Sequence, residues 1–119
     1  MGDAKSYTGA CHCGAVRYEA TADLTQVIAC NCSICTKHGL LWTFAPVDRF
    51  KLVSGQEQLR DYQFYKHTIH HQFCGTCGVE SFARGSMPNG AEMVAVNARC
   101  LDEIDLATLK PTPFDGKSL

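Results

Sequence analysis

Apolar and polar residues alternate along this chain in short runs rather than at a helical spacing. Residues 16–20, Val-Arg-Tyr-Glu-Ala, alternate strictly, which suits a half-buried strand. Together with residues 7–10 they predict two strand-like pieces around Cys-His-Cys-Gly. Residues 24–30 end in the apolar run Val27, Ile28, Ala29. Residues 40–45 carry Leu41, Trp42, Thr43 and Phe44 and predict a strand. Phe50-Lys-Leu-Val follows, closed by a Ser54-Gly55 turn. Residues 58–73 intersperse Leu59, Tyr62, Phe64, Tyr65 and Ile69 with Arg60, Gln63, His67 and His71, which reads as strand chemistry and a hairpin. Residues 79–84 and 92–96 are further short strands, separated by Gly85-Ser-Met-Pro-Asn-Gly. Helix signals are few. Residues 33–38 fit one helical turn, with Ser33 as N-cap and Gly39 as the stop. The tail from Leu101 has one Asp/Leu-rich helical turn, halted by Pro111 and Pro113. Many short strands with Gly/Pro turns predict a mainly antiparallel β domain.

At 119 residues the chain has the size of one domain. A domain this small gains from a metal or a set of cross-links. The formal net charge of -1 gives no electrostatic footprint for a phosphate backbone or an anionic membrane, so neither nucleic acid nor membrane is expected as a partner. The N-terminus has no apolar core of a secretory signal, and the longest apolar stretches fall short of a membrane span. A soluble, cytoplasmic protein is the expectation. Oligomeric state is not legible from these features.

Eight cysteines then need a role in a reducing compartment. An even count permits disulfides, but their tight local spacing is typical of metal ligands. Cys11-His-Cys13 offers two sulfurs to one side if the segment is an extended strand, where residues i and i+2 share a face. Cys74-Gly-Thr-Cys77-Gly78 is a knuckle whose two glycines can take backbone angles closed to other residues. Two such half-sites make a tetrahedral four-cysteine zinc site. Cys30-Asn-Cys32-Ser-Ile-Cys35 supplies three ligands from one loop, the usual protein count of a zinc with one position left for water or substrate. Other partitions are open at this point. One ion could take Cys11, Cys13, Cys30 and Cys32, and Cys100, His38 or His12 could close the middle group.

Four ordered motifs carry a resemblance over nearly the whole chain, from residue 7 to the C-terminal tail. They are Gly9-Ala-Cys-His-Cys-Gly-Ala-Val-Arg-Tyr-Glu, Cys30-Asn-Cys-Ser-Ile-Cys-Thr-Lys-His-Gly, Phe73-Cys-Gly-Thr-Cys-Gly and Val96-Asn-Ala-Arg-Cys-Leu-Asp. The sequence resembles the glutathione-dependent formaldehyde-activating enzyme family, whose domain also occurs in centromere protein V. The resemblance implies a single domain over residues 7–119 with an Mss4-like fold, a twisted antiparallel β architecture with short helical turns. It implies two zinc ions per chain: a structural one on Cys11, Cys13, Cys74 and Cys77, and a catalytic one on Cys30, Cys32 and Cys35. The implied activity is that of a carbon–sulfur lyase run in reverse, joining formaldehyde to glutathione as S-hydroxymethylglutathione. A small thiol such as glutathione and a small aldehyde are the implied partners.

Zinc ionises a bound thiol, and a thiolate is the better nucleophile. Three thiolates donate strongly and weaken the ion as a Lewis acid, so thiol capture is favoured over carbonyl polarisation. Lys37, His38 and Arg99 are candidates for the glutathione carboxylates. Trp42 and Phe44 could wall a pocket, with a core role favoured because aromatic strand residues bury area; His67, His70 and His71 read as exposed or half-buried, and Cys100 as a small buried hydrophobe. The competing reading is a non-catalytic zinc-binding interaction module, which a basic or disordered extension would favour. A nucleotide-exchange role like that of the protein naming the fold would need only the four-cysteine site, so the Cys30 group argues against it.

Overall fold

The computed structural model describes residues 4–63, 69–86 and 90–115. Phe64, Tyr65 and His67 of the expected hairpin, residues 87–89 of the Gly/Pro turn and the end of the tail lie outside them. The described chain is mainly β, with two sheets. β1 (Lys5–Ala10), β2 (Arg17–Ala22) and β5 (Phe50–Ser54) form a three-stranded antiparallel sheet in the order β1-β2-β5. The larger sheet has seven strands in the order β10-β3-β4-β9-β8-β7-β6. These are β3 (Ile28–Cys30), β4 (Trp42–Pro46), β6 (Leu59–Tyr62), β7 (Ile69–Cys74), β8 (Glu80–Ser86), β9 (Glu92–Asn97) and β10 (Thr112–Phe114). β6 and β7 pair as the expected hairpin.

Period-2 alternation in the central strands builds two cores, one on each face of the large sheet. Phe82 of β8 and Val94 and Val96 of β9 point toward the small sheet and pack with Tyr18, Ala20, Val16 and Leu101. Tyr18 lies 5.7 Å edge-on from Phe82, and Phe50 stands 4.8 Å from the same ring. Their neighbours Ala83 and Ala95 point the other way. There they meet Trp42, Leu40, Ile34 and Cys35, with Ile34 and Cys35 supplied by α1 (Ser33–His38). A helix can sit close to that face because Ala83 and Ala95 are small. Phe44 shares the Trp42 side of β4 but is 40% exposed, because α1 is too short to cover it.

Gly55, just after β5, passes close against the β1–β2 connection of the same sheet. Its φ is +93°, and a Cβ there would stand 2.4 Å from the Ala15 carbonyl oxygen, so only glycine fits.

Three local expectations are corrected. The N-cap of α1 is Cys32, not Ser33, and it makes no side-chain cap bond; Gly39 does stop the helix, at φ 65°. Gly78 takes a left-handed angle, φ 83°, but Gly75 does not; what constrains Gly75 is the approach of Gln58 and Arg60 to about 3 Å of where its Cβ would lie. The tail carries a short helical turn at Leu106–Thr108 and then a strand, β10, despite its prolines. β10 is an edge strand parallel to β3. Thr112 N–H donates to Val27 O at 2.8 Å and Phe114 O accepts from Asn31 N–H at 3.1 Å. Pro113, between them, occupies the position whose missing N–H would face away from β3, so the pairing tolerates it.

Candidate metal centres and the adjoining groove

All eight cysteines are free thiols, and seven fall into two groups. Cys11, Cys13, Cys74 and Cys77 form one, Cys30, Cys32 and Cys35 the other, with all sulfurs of a group within 4.8 Å of one another. The partition that mixes Cys11 and Cys13 with Cys30 and Cys32 is thereby overturned. Among the described residues no fourth Cys, His, Asp or Glu joins the three-cysteine group. Cys100 is half-buried rather than buried and directs its Sγ at the Glu80 carbonyl, 4.0 Å away. His38 is engaged with a carboxylate, and His12 is exposed.

The four-cysteine group clamps the two sheets together. Cys11 and Cys13 sit on the β1–β2 connection of the small sheet; in the large one Cys74 ends β7 and Cys77 sits on the β7–β8 connection. The first pair is not on an extended strand, as its spacing suggested, but on a turn: Cys11 N–H donates to Val16 O at 3.0 Å and Gly14 N–H to Cys11 O at 3.2 Å. The turn brings the two sulfurs to 3.6 Å, and Cys13 Sγ stands 3.7 Å from Cys74 Sγ. Four thiolates ~2.3 Å from a zinc ion stand about 3.8 Å apart, so this donor set fits that ion. Backbone donors already support the sulfurs: Val16 N–H reaches Cys11 Sγ at 3.4 Å and Thr76 N–H reaches Cys74 Sγ at 3.3 Å. Burial desolvates Cys77 and would raise it. Backbone donors at Cys13 and Val79 and the neighbouring sulfurs outweigh that and hold its thiol down to about 6. Cys13 is the opposite case. A backbone donor at Ala15 lowers it, but desolvation and the three other sulfurs push it up to about 11. Close packing of four sulfurs thus favours some thiolates at others' expense, which is what a shared cation would relieve.

The three-cysteine group is local. Cys30 ends β3, Cys32 caps α1 and Cys35 lies one turn into it. Cys32 N–H donates to Cys30 Sγ at 3.5 Å. The buried indole of Trp42 donates Nε1–H to Cys35 Sγ at 3.1 Å. Trp42 is therefore more than a core aromatic; its spacing from the cysteines gave no hint of this, because the contact crosses from β4 to the helix. Burial pushes the Cys35 thiol up, as does its neighbour Cys32, while the Trp42 donor pulls against them. Desolvation also raises Cys32, but hydrogen bonds from Cys35 and Cys30 overcome it and leave the Cys32 thiol lowered.

Beside this group runs a groove of about 480 Å³. Ser33 and Ile34, which lie between Cys32 and Cys35 in sequence, form its helical wall with Lys37 and His38. Phe73, His71 and Glu80 form the opposite wall, together with Gly78, the residue after Cys77. The volume lies in the range of small-ligand sites. Of the three cations proposed for a carboxylate-bearing ligand, Lys37 and His38 line the groove. Arg99 does not; its Nε–H donates to Gly39 O at 2.9 Å and ties down the end of α1. His70 is exposed and meets Asp61 at 3.0 Å, but His71, expected to be exposed or half-buried, is buried at 5% exposure and meets Glu80. Glu80 was missed altogether: one acidic residue in a strand carries no spacing signal.

A mainly β fold with two clustered thiol groups defines a small protein able to bind metal ions. The sequence profile of the glutathione-dependent formaldehyde-activating enzyme family matches residues 6–113. The chain belongs to that family. Its fold is similar to the crystal structure of a Rhodobacter sphaeroides protein, with TM-score 0.80 and 31% identity over 89% of this chain and 97% of that one. Among the described residues no helix is long and apolar enough to cross a membrane.

Proposed function

We propose that this protein joins a small thiol, in the first place glutathione, to formaldehyde, as a carbon–sulfur lyase acting in the direction of bond formation. The observation that carries the reading is a three-sulfur group that no fourth Cys, His, Asp or Glu joins among the described residues, next to a groove whose helical wall includes Ser33 and Ile34 from between Cys32 and Cys35. Family membership supplies the thiol and the aldehyde. In this reading residues 7–119 act as one domain. Cys11, Cys13, Cys74 and Cys77 hold a structural zinc, and Cys30, Cys32 and Cys35 hold a second one. The chemistry that zinc would supply at Cys30, Cys32 and Cys35 is a lowered pKa for a thiol brought to it.

The chain's own residues do the rest. The Trp42 N–H and the Cys32 N–H orient Cys35 and Cys30 and spread their negative charge, as outer hydrogen bonds do at metal sites. Lys37 offers an ammonium to a carboxylate of the thiol substrate, and the Ser33 hydroxyl offers a neutral partner on the same wall. Ile34 and Phe73 give the groove an apolar lining that excludes water from the reacting carbon. Exchange NMR of glutathione and formaldehyde with the zinc-loaded protein tests the reading. Adduct formation should run faster than the spontaneous reaction with wild type and fall to the spontaneous rate with Cys32→Ser. A wild-type rate equal to the spontaneous one would contradict it.

A further inference from the structure

The groove wall opposite α1 holds a group that thiol binding does not use. β8 pairs with β7 in regular register as far as Phe82 and Gln72, and the next pair is Glu80 with Phe73. Ser81 is the extra residue of a bulge, and a bulge re-aims the side chain beside it. Strict alternation would send Glu80 to the Phe82 face, into the main core. The bulge turns it to the side of His71 and Phe73, under α1. Asn97 Nδ2–H fixes this by donating to Glu80 O at 3.1 Å from β9.

The Glu80 side chain is only 1% exposed, and each carboxylate oxygen meets one imidazole. His38 Nδ1 stands 2.8 Å from Oε1 and His71 Nδ1 2.7 Å from Oε2. An ionised carboxylate only accepts, so each ring presents Nδ1–H to it. A neutral imidazole held that way carries its lone pair on Nε2. His71 is buried, but the His38 side chain is 42% exposed and lines the groove. His38 also follows Cys35 by three positions in one helix, which sets their Cβ atoms about 5–6 Å apart.

We propose that His38 is the acid–base residue of the reaction and that buried Glu80 is the residue that positions it. This rests on the thiol–aldehyde reading above. The His38 Nε2 takes the S–H proton of the thiol. The sulfur–carbon bond forms as the carbonyl π pair moves onto oxygen, and His38 returns the proton to that oxygen, giving S–CH2–OH. No electrons are gained or lost overall. The arrangement is a carboxylate–imidazole pair of the kind that fixes a tautomer in nucleophile triads, with the attacking thiol supplied by the substrate.

Long-range proton–nitrogen NMR of the zinc-loaded protein reads the tautomer directly, without turnover. His38 should appear with its proton on Nδ1 in wild type and shift toward the Nε2–H form in Glu80→Gln. Glutathione alone should move the His38 Nε2 resonance. In turnover assays His38→Asn should lower kcat by about 100-fold or more, with KM, zinc content and melting temperature unchanged. An Nε2–H tautomer in wild type, no response of His38 to glutathione, or full kcat in His38→Asn would each overturn the assignment. A wild type that does not accelerate the reaction at all sinks the thiol–aldehyde reading instead, and that outcome is distinct from any of the three.

Discussion

Single residues decide how well each sulfur is held. Trp42 is the clearest case. Its ring fills the core under α1, and its one polar atom donates to Cys35. Trp42→Phe keeps most of the volume and removes the donor. Loss of an outer hydrogen bond at a metal site weakens affinity about 10–100-fold. Chelator competition should show that loss at the three-cysteine group and no change at the four-cysteine group. An equal change at both would mean the indole acts through general packing. The cysteine types and spacings were readable in the sequence because they are local. Trp42, His71 and Glu80 were not, because their roles arise from contacts between elements. Trp42 reaches its sulfur from another strand, and the Glu80 side chain changes face at a bulge that no spacing rule marks.

At the scale of elements, the two sulfur groups differ in what they connect. Cys13 and Cys74 are 61 residues apart in sequence and join different sheets, whereas Cys30, Cys32 and Cys35 close one short loop. A metal that closes a long loop constrains the unfolded chain far more than one that closes a short loop. Binding free energy at a structural zinc, about 10–16 kcal/mol in small zinc peptides, is folding free energy. Cys77→Ser should therefore unfold the domain, and Cys32→Ser should keep the fold and lose one zinc. Circular dichroism with metal quantitation checks both, and equal unfolding in the two variants would remove the distinction. Most strands were legible from alternation, because each central strand really does face two different cores. The β10 strand was not, since two prolines in five residues argue against a strand unless one proline's nitrogen faces outward at an edge. The Cys11 turn also escaped, because residues i and i+2 can converge across a turn as well as along a strand.

For the whole molecule, metal and proton compete for the same sulfurs. Ligating cysteines must be thiolates, so falling pH favours release. Burial pushes the Cys35 thiol up, so protons compete strongly in the three-cysteine group, which also has one ligand fewer. On acidification a chromogenic chelator should record two steps, with the three-cysteine zinc leaving first while the fold persists. One simultaneous step with unfolding would show that the sites are not independent. The fold and the two sulfur groups together were within reach of the sequence. The groove beside them was not, because its walls come from α1, β7 and β8 and are apposed only once the large sheet has formed.

The central claim is that the Cys30, Cys32 and Cys35 site has room for a thiol from outside. Cadmium-113 NMR of the cadmium-substituted protein addresses it most directly. Two resonances are expected. Glutathione should move one of them toward the four-sulfur position and leave the other in place, and Cys32→Ser should abolish the one that moves. Two resonances already at the four-sulfur position before glutathione is added, or neither responding to it, would contradict the account.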